Sequence, residues 1–508
     1  MKILKFLKNI IFSRITLAII SLIIQIFIIF VIFFYFSKSI ILIFGGFGLL
    51  STLIVLLIIN SKANPSYKIA WIIPLLLFPV LGIFIYLFFK LQISVRLMNK
   101  KMIINQEISS KYIKQDEKVL SKIEDKNLYN LAVYTNKISN YPIYPIEEVK
   151  FFESGLLQFK DMIEQLKKAS DYIFLEYFII EKGYMFNTFL NILKEKAKNG
   201  IEVRIMYDGF GSLLILNHDF CEEMEKFNIK CKIFSPIKPV ISAHHNYRDH
   251  RKICIIDGKV AYTGGVNIAD EYINMKERFG YWKDSGIKIE GEAVNSFITM
   301  FLELWNSENS IDEYKKYIKT KKIDKNNGYI IPYGDSPLDD YEIGRRIYLD
   351  VINTAKNYVY ITTPYLILDD EMVDALNYAA LRGVDVRIIM PSIPDKKMVY
   401  YLGRSYYYEL IKAGVKIYEY KYGFTHSKMF ISDDIKAVVG TINLDYRSLY
   451  LHFECASFIY NNKVVADIKK DYNETIKNSN EISLEDIKKY SLIKRVIGRI
   501  LRFMAPLM

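Results

Sequence analysis

Two stretches of this 508-residue chain decide its fold: HRKICIIDGKVAYTGGVN at residues 250–267 and HSKMFISDDIKAVVGTIN at residues 426–443. Each begins with the pattern His-x-Lys-x4-Asp, and each ends in an asparagine at the same distance from its histidine. Chance supplies the lysine and the aspartate after a given histidine roughly once in a few hundred trials, so two copies are a strong signal. The chain therefore carries one structural plan twice.

The repeat extends upstream of both stretches. The segment AKNGIEVRIM at residues 197–206 recurs as LRGVDVRIIM at residues 381–390. In each copy the glycine ends a helix, and the apolar run that follows it is a buried strand. Strands that alternate with amphipathic helices predict an α/β fold, here as two pseudo-symmetric α/β sandwich halves with mostly parallel or mixed sheets.

The His-x-Lys spacing brings an imidazole and an ammonium group together in each half, and a phosphodiester placed between the two motifs would meet two of each. Residues i and i+2 of a strand face the same side, so His250 and Lys252 project together, as do His426 and Lys428. Between the two pairs, one neutral imidazole can attack phosphorus while the other protonates the leaving group. The lysines can hold the non-bridging oxygens, and the chemistry needs no metal or other cofactor.

Four further side chains are predicted to support this site. The amides of Asn267 and Asn443 are expected to hold phosphate oxygens together with the lysines. Asp284 and Glu454 each begin a strand after the Gly/Asn loop of their own half. They are the candidates for carboxylates that hydrogen-bond the far ring nitrogen of the histidines and so select the tautomer.

The motif aspartates Asp257 and Asp433 belong to the candidate catalytic set, but a structural role at a turn is the favoured interpretation for both. They lie five residues beyond the lysines, on or past the end of one strand, and should therefore lie away from the cleft. For the other histidines we expect His244 and His245 to line the cleft, and His218 and His452 to be surface or packing residues.

The composition favours an anionic partner. The chain has 68 Lys and Arg against 56 Asp and Glu, a formal charge of +12, which suits an acidic lipid surface or nucleic acid. Its four cysteines show neither zinc-ligand spacing nor a disulfide framework, so free thiols are predicted. They are Cys221, Cys231, Cys254 and Cys455.

The amino-terminal hundred residues contain three apolar runs, Ile15–Ser37, Ser39–Ser61 and Ile69–Phe89. Runs of this length predict membrane spans, and a soluble core would not use three in succession. Pro74 and Pro79 interrupt the third run, which is expected to kink or to be re-entrant. Two crossings and three crossings both remain open.

The predicted organisation has five parts. Residues 1–100 form a transmembrane helical region of two to three spans, and residues 101–140 a charged linker. Residues 141–320 and 328–480 form the two halves. Residues 484–508 form a basic amphipathic helix, typical of an interfacial helix and equally of a core or dimer helix.

The two-copy motif resembles the phospholipase D superfamily, over nearly everything after Tyr144. Within it, the closest likeness is to bacterial cardiolipin synthases. This likeness is carried by YDGFGS at residues 207–212, AYTGGVNIA at 261–269 and NLDYRS at 443–448, and also by the last apolar run from Asn64 to Lys90.

The resemblance implies that two phosphatidylglycerol molecules give cardiolipin and glycerol through a phosphohistidine. It also implies that His250 is the nucleophile and His426 the acid/base, in a multi-pass protein of the cell membrane whose partners are anionic lipids. A hydrolytic phospholipase D, or transfer to another head-group alcohol, needs the same site and stays open. The membrane runs argue against nucleic acid as a partner, and two intact His/Lys pairs argue against a non-catalytic scaffold. The sequence carries no signal of oligomeric state.

Overall fold

The computed structural model describes residues 40–90, 93–213, 215–217, 219–236, 247–307, 309, 311–319, 327–338 and 341–507, together with Phe27 and Val31. The chain divides into two compact units. One comprises Met1–Met98, Ser235–Tyr247 and Phe503–Met508, and the other comprises Asn99–Phe234 and Arg248–Arg502. His218, His244 and His245 lie outside the described residues, so their predicted places stay predictions.

The first unit contains helices α1 (Ile40–Ile59), α2 (Pro65–Leu77) and α3 (Pro79–Lys90). They pack around a small apolar cluster that includes Trp71, Leu75 and Tyr86. The third apolar run is thus divided into two helices, in agreement with the proline content of that run. A Cβ on Gly82 would lie 2.8 Å from the backbone of Leu75, so glycine permits the close approach of α2 and α3.

None of the helices in the described part of the chain combines the length and the apolar character needed to cross a membrane. The predicted run Ile15–Ser37 lies outside the described residues except for Phe27 and Val31. The predicted multi-pass arrangement is therefore not supported by the residues that the structure describes.

The segment predicted as a charged linker is largely helical. Helix α4 spans Ile93–Ser109, α5 spans Glu117–Leu120 and α6 spans Lys126–Ser139. The Ser109 hydroxyl donates a 2.6 Å hydrogen bond to Glu303, and buried side chains of α6, such as Leu128 and Leu131, share one helical face. The charged residues of this segment cover the solvent side of packed helices.

After these helices the second unit contains a seven-stranded mixed sheet, in the order β2-β10-β8-β7-β3-β4-β5. The elements of this region are β1 Tyr144–Pro145, β2 Glu148–Phe152, α7 Gly155–Lys168, β3 Tyr172–Tyr177, α8 Tyr184–Lys198, β4 Glu202–Asp208, α9 Phe220–Glu225, β5 Ile229–Phe234, β6 Arg248–Asp249, β7 Lys252–Ile256, β8 Val260–Gly264, a 3-10 turn Asp270–Ile273, β9 Tyr281–Lys283, β10 Gly286–Glu290, α10 Val294–Trp305 and α11 Tyr314–Tyr317.

A second mixed sheet follows, in the order β1-β11-β18-β17-β16-β12-β13-β14-β19. Its elements are β11 Tyr329–Asp335, α12 Ile343–Thr354, β12 Tyr358–Thr362, α13 Asp370–Leu381, β13 Asp385–Pro391, α14 Lys397–Arg404, α15 Tyr407–Ala413, β14 Lys416–Tyr420, β15 Gly423–Thr425, β16 Met429–Ser432, β17 Lys436–Gly440, α16 Tyr446–Tyr450, β18 His452–Tyr460, α17 Val464–Lys477, β19 Ser479–Ile482, α18 Leu484–Lys489 and α19 Leu492–Met504, before a 3-10 turn Ala505–Leu507.

The duplicated plan is visible in the strand order. The run β7-β3-β4-β5 of the first sheet has the same order and directions as β16-β12-β13-β14 of the second, with two parallel pairs and one antiparallel pair in each. The expected mixed α/β architecture is therefore present. Strand β1, however, joins the second sheet through β11, although it belongs to the predicted first half.

The core between the two sheets is continuous. Every residue of α10 is buried, and this helix contacts β7 and β8 of the first sheet and β11 of the second. The polar residues of this helix are covered as well, and the buried Glu303 accepts the hydrogen bond from Ser109. Of the cysteines, Cys254 and Cys455 are buried and Cys221 and Cys231 partly so, and none of the four is in a disulfide.

Candidate active site

Each motif histidine follows a short strand that pairs with the other half of the molecule. Strand β6 runs parallel to the start of β18, and the amide of His250 donates to the carbonyl oxygen of Phe453 at 2.9 Å. Strand β15 runs parallel to β9, and the amide of His426 donates to the carbonyl oxygen of Lys283 at 2.7 Å. Both histidines are thus held between the halves by backbone hydrogen bonds.

The imidazole of His250 contacts a carboxylate of the second half. Its Nδ1 lies 2.8 Å from Oε1 and 3.0 Å from Oε2 of the fully buried Glu454, which also accepts a hydrogen bond from the Thr441 hydroxyl. A carboxylate at Nδ1 favours the tautomer with the proton on that atom. The lone pair of His250 is then on Nε2, on the opposite side of the ring.

The imidazole of His426 contacts a carboxylate of the first half in the same way. Its Nδ1 lies 2.8 Å from Oδ2 of Asp284, whose other oxygen accepts a hydrogen bond from the amide of Ser285. A Cβ on Gly265 would lie 2.0 Å from Asp284, so only glycine leaves room for this carboxylate. The pairing is therefore crossed: each half supplies the carboxylate for the histidine of the other.

The two lysines bring the pairs into one electrostatic environment. Lys252 and Lys428 are buried, and each ammonium group donates to the carbonyl oxygen of the histidine two residues earlier. Burial is the main cause of a pKa of about 8 for Lys252 and of about 7 for Lys428, and the charge of Lys252 contributes to the lower value of Lys428. Burial, followed by the charges of both lysines, also lowers the pKa of His250 well below its ordinary value. All four groups therefore share a single buried site.

The two asparagines differ in their partners. The Asn267 side chain accepts a 3.0 Å hydrogen bond from the amide of Ile179 and donates a 2.7 Å bond to the Tyr272 hydroxyl. Within the described residues, the buried Oδ1 of Asn443 has no hydrogen-bond partner. Asn267 thus orders its own loop and has one N–H left for a ligand. Phosphate binding by these amides stays a prediction.

The motif aspartates bind backbone amides. The Asp257 carboxylate accepts hydrogen bonds from the amides of Ser170, Asp171 and Tyr172, at the start of β3. Asp433 accepts equivalent bonds from the three residues that precede and begin β12, Lys356, Asn357 and Tyr358. At Asp257 burial raises the pKa, but the hydrogen bonds from Ser170, Asp171 and Tyr172 lower it by more, so the net shift is downward. Both carboxylates therefore join a turn to the neighbouring strand.

His452 was expected at the surface or in packing, and the structure places it beside the candidate nucleophile. Its ring centroid lies 5.6 Å from that of His250, and its Nδ1 lies 3.7 Å from Glu454. In the other half the corresponding position, two residues before the carboxylate, is Trp282, whose ring lies 5.3 Å from His426. The common spacing to Asp284 and Glu454 is the sequence signal that could have found this position.

One group of described residues has the spacing of a metal site: the ligand atoms of His250, His452 and Glu454 lie within 4.8 Å of one another. Glu454 is already bound to His250 and Thr441 there. The positive charge of Lys252 is close enough to interact with Glu454 and opposes a second cation. The donor set therefore fits a hydrogen-bonded imidazole better than a metal ion.

Comparison with known proteins identifies the family. Residues 162–305 and 348–476 match the family described as "Cardiolipin synthase, PLD-like domain", and residues 49–90 match "Phospholipase_D-nuclease N-terminal". A protein of Alkalihalophilus pseudofirmus named cardiolipin synthase is 34% identical over 469 residues, which cover 89% of this chain and 91% of the relative. The chain belongs to the bacterial cardiolipin synthases.

Two further proteins are similar to the chain, one in sequence and one in fold. An uncharacterized protein of Streptococcus mutans is 47% identical over 458 residues, 89% of this chain and 99% of that protein. The crystal structure of phosphatidylserine synthase from Haemophilus influenzae shares the fold, with a TM-score of 0.56 at 16% identity over 75% of this chain and 98% of that one. As a cardiolipin synthase, the chain is a phosphatidyltransferase of the phospholipase D superfamily, which confirms the family and the enzyme class expected from the motifs.

The contacts of the motif aspartates predict a stability effect. In this cardiolipin synthase we expect Asp257→Asn and Asp433→Asn each to lower the free energy of unfolding by about 1–3 kcal/mol, because an amide NH2 would face backbone N–H donors. Turnover per folded molecule should change little. Denaturant unfolding and assays on the folded fraction measure both quantities.

Asp171→Asn is the matched control, since in the described part of the chain the Asp171 side chain makes only an exposed ion pair with Lys319, and such pairs contribute about 0–1 kcal/mol. A large loss of turnover in fully folded Asp257→Asn protein would instead assign this carboxylate to the reaction.

Proposed function

We propose that this cardiolipin synthase joins two phosphatidylglycerol molecules into cardiolipin and glycerol, with His250 as nucleophile and His426 as acid/base. The observation that carries the proposal is the convergence of two histidine–lysine pairs on one buried site, each with a carboxylate on Nδ1. Membership of the cardiolipin synthases supplies the reaction class.

In the first step, Nε2 of neutral His250 attacks the phosphorus of one phosphatidylglycerol. The P–N bond forms as the P–O bond to the glycerol head group breaks, and the leaving oxygen takes a proton from His426. The ammonium groups of Lys252 and Lys428 stabilise the charge on the non-bridging oxygens. The products are free glycerol and a phosphatidyl group on His250.

In the second step, a head-group hydroxyl of another phosphatidylglycerol attacks the same phosphorus. Now-neutral His426 accepts the hydroxyl proton as the new P–O bond forms and the P–N bond breaks. Cardiolipin leaves, and both histidines return to their starting protonation states. Atoms and charge balance without a further reactant.

The electrostatics of the site favour a neutral imidazole as the nucleophile. Burial lowers the pKa of both histidines. The pKa of His426 is lowered to about 4, although the charge of Asp284 acts in the opposite direction. At His250 the charges of Lys252 and Lys428 add to the effect of burial. A neutral nucleophile is thus favoured at His250. A bound phosphodiester anion would raise the pKa of His426 and favour its protonated form.

We also propose that the enzyme works at the cell membrane, through its amino-terminal apolar region. A lipid surface supplies the acceptor alcohol at high local concentration, which favours transfer over hydrolysis. Phosphatidylglycerol and other anionic lipids match the charge of +12. The number of spans in the amino-terminal region, two or three, belongs to this proposal.

The test is the product balance. Purified protein in detergent with phosphatidylglycerol alone is expected to form cardiolipin and glycerol in equal amounts. Phosphatidic acid without cardiolipin would make the protein a hydrolase. No cardiolipin from phosphatidylglycerol alone, together with a new phospholipid that contains an added head-group alcohol, would change the acceptor.

The lysines predict a pH dependence of substrate binding. Their pKa values of about 7 and about 8 mean that the lipid-free site loses positive charge as pH rises through this range, well below the ordinary pKa of lysine. We expect KM for phosphatidylglycerol to rise several-fold between pH 7 and about 9, with a smaller change in kcat. Initial rates across this range measure the effect, with protein fluorescence as a control for unfolding. A constant KM would contradict it.

A further inference from the structure

Helix α19 turns an apolar face to solvent. The side chains of Leu492, Ile493, Val496 and Ile500 are 67%, 71%, 47% and 59% exposed. The opposite side of the helix faces the protein: a Cβ on Gly498 would lie 2.4 Å from the carbonyl oxygen of Tyr401 in α14. A helix packed on the surface of a protein in water is expected to show the reverse arrangement, with its apolar side against the protein.

Beside this helix lies a cavity of about 460 Å³, which we call the basic cavity. It is lined by parts of α14, α15, α18 and α19 and shares no residue with the candidate active site. Its lining contains six cationic side chains and no acidic one. The cationic side chains are Arg404, Lys488, Lys489, Lys494, Arg495 and Arg499.

Two of these cations are already committed to protein partners. Arg404 forms a 2.6 Å ion pair with Glu419, and its guanidinium lies 4.2 Å from the ring centroids of Tyr400 and Tyr490. Lys489 pairs with Asp486 at 3.3 Å. Arg404 and its aromatic neighbours therefore form a rigid wall of the basic cavity.

Among the described residues, the other four cations have no acidic partner, although Lys494 lies 5.6 Å from the ring centroid of Tyr401. In the part of the chain that the structure describes, Lys488, Lys494, Arg495 and Arg499 form no ion pair with a carboxylate. Like charges gathered around one cavity repel one another, and an anion placed among them relieves that repulsion. A phosphate also matches the donor geometry of arginine.

We propose that the basic cavity binds the head-group phosphate of an anionic phospholipid while the apolar face of α19 lies among the acyl chains of the bilayer. A phospholipid unites the two properties that this surface needs, a negative head group and apolar chains joined to it. A second copy of the chain would bring another set of cations against these, so a dimer contact is disfavoured here. The site is separate from the catalytic residues and would hold the enzyme at its substrate surface.

The experiment follows one position in full-length protein reconstituted into vesicles. Ile493→Trp is introduced into the His250→Ala background, so that no lipid is consumed and the outcome does not depend on the proposed reaction. Quenching of the introduced tryptophan by brominated phosphatidylcholine is measured with and without phosphatidylglycerol. We expect quenching at least threefold greater when phosphatidylglycerol is present. Leu381→Trp on α13, an equally exposed position at 73%, should show no such quenching.

A variant with two reversed charges distinguishes lipid binding in the basic cavity from insertion of the apolar face alone. Arg495→Glu with Arg499→Glu should abolish the dependence on phosphatidylglycerol, whereas Lys160→Glu with Lys198→Glu, exposed lysines elsewhere, should preserve it. Thermal melting confirms that each variant is folded. Equal quenching in both vesicle types, no quenching, or an unchanged lipid dependence in the Arg495/Arg499 variant would each overturn the proposal.

Discussion

Replacement of His250 by alanine is expected to abolish cardiolipin formation, with a loss in kcat of at least ~10⁴-fold, and replacement of His426 to do the same. Removing the nucleophile leaves no covalent route, and removing the acid/base leaves a poor leaving group without a proton. Both side chains lie in a site already rich in polar groups, so the folded state should survive. Turnover of phosphatidylglycerol and thermal melting measure the two effects.

The two histidines can be told apart with a substrate whose leaving group needs no proton. A phosphatidyl ester of p-nitrophenol should release p-nitrophenolate in a single burst from His426→Ala protein and leave a phosphatidyl group on His250. The same substrate should give no burst with His250→Ala. The reverse pattern, or a label trapped on His426, would exchange the two roles.

The crossed carboxylates should give the second largest effect. Glu454→Gln and Asp284→Asn are each expected to lower kcat by about 10²–10⁴-fold, because an amide can hold the imidazole in the wrong tautomer and cannot stabilise its cation. The structure assigns Glu454 to His250 and Asp284 to His426. Each carboxylate variant should therefore share the defect of the histidine in the opposite half.

The p-nitrophenyl ester tests this assignment. The burst should persist in Asp284→Asn, which affects the acid, and slow strongly in Glu454→Gln, which affects the nucleophile. Glu419→Gln is the matched control, since Glu419 is a buried carboxylate paired with Arg404 and contacts neither histidine. If each variant instead followed the histidine of its own half, the crossed arrangement would be wrong.

Local patterns predicted the parts of the molecule that depend on neighbours in sequence. The strands around Val203 and Val386 follow from apolar runs bounded by glycine, and the repeated motifs predicted that the two halves share one plan. The turn contacts of Asp257 and Asp433 follow from residues that tolerate positive φ, with observed values of 56° and 54°. In contrast, the charged composition of residues 101–140 predicted a linker, whereas the structure has helices there with a buried face. Composition does not say which side of a helix is covered.

The sequence alone predicted that each histidine acts together with the lysine two residues later. In the structure both histidines lie in the short links between two strands and not within one strand. The sequence also determined the family, because the ordered motifs occur in both halves. Only the tertiary structure decided which carboxylate orients which histidine, and that His452 lies beside His250. Asp284 lies 142 residues from His426 in the sequence, and Glu454 lies 204 residues from His250. The pairings of β6 with β18 and β15 with β9 bring them together, and strand pairing between distant segments depends on the packing of the whole chain, which no local pattern encodes.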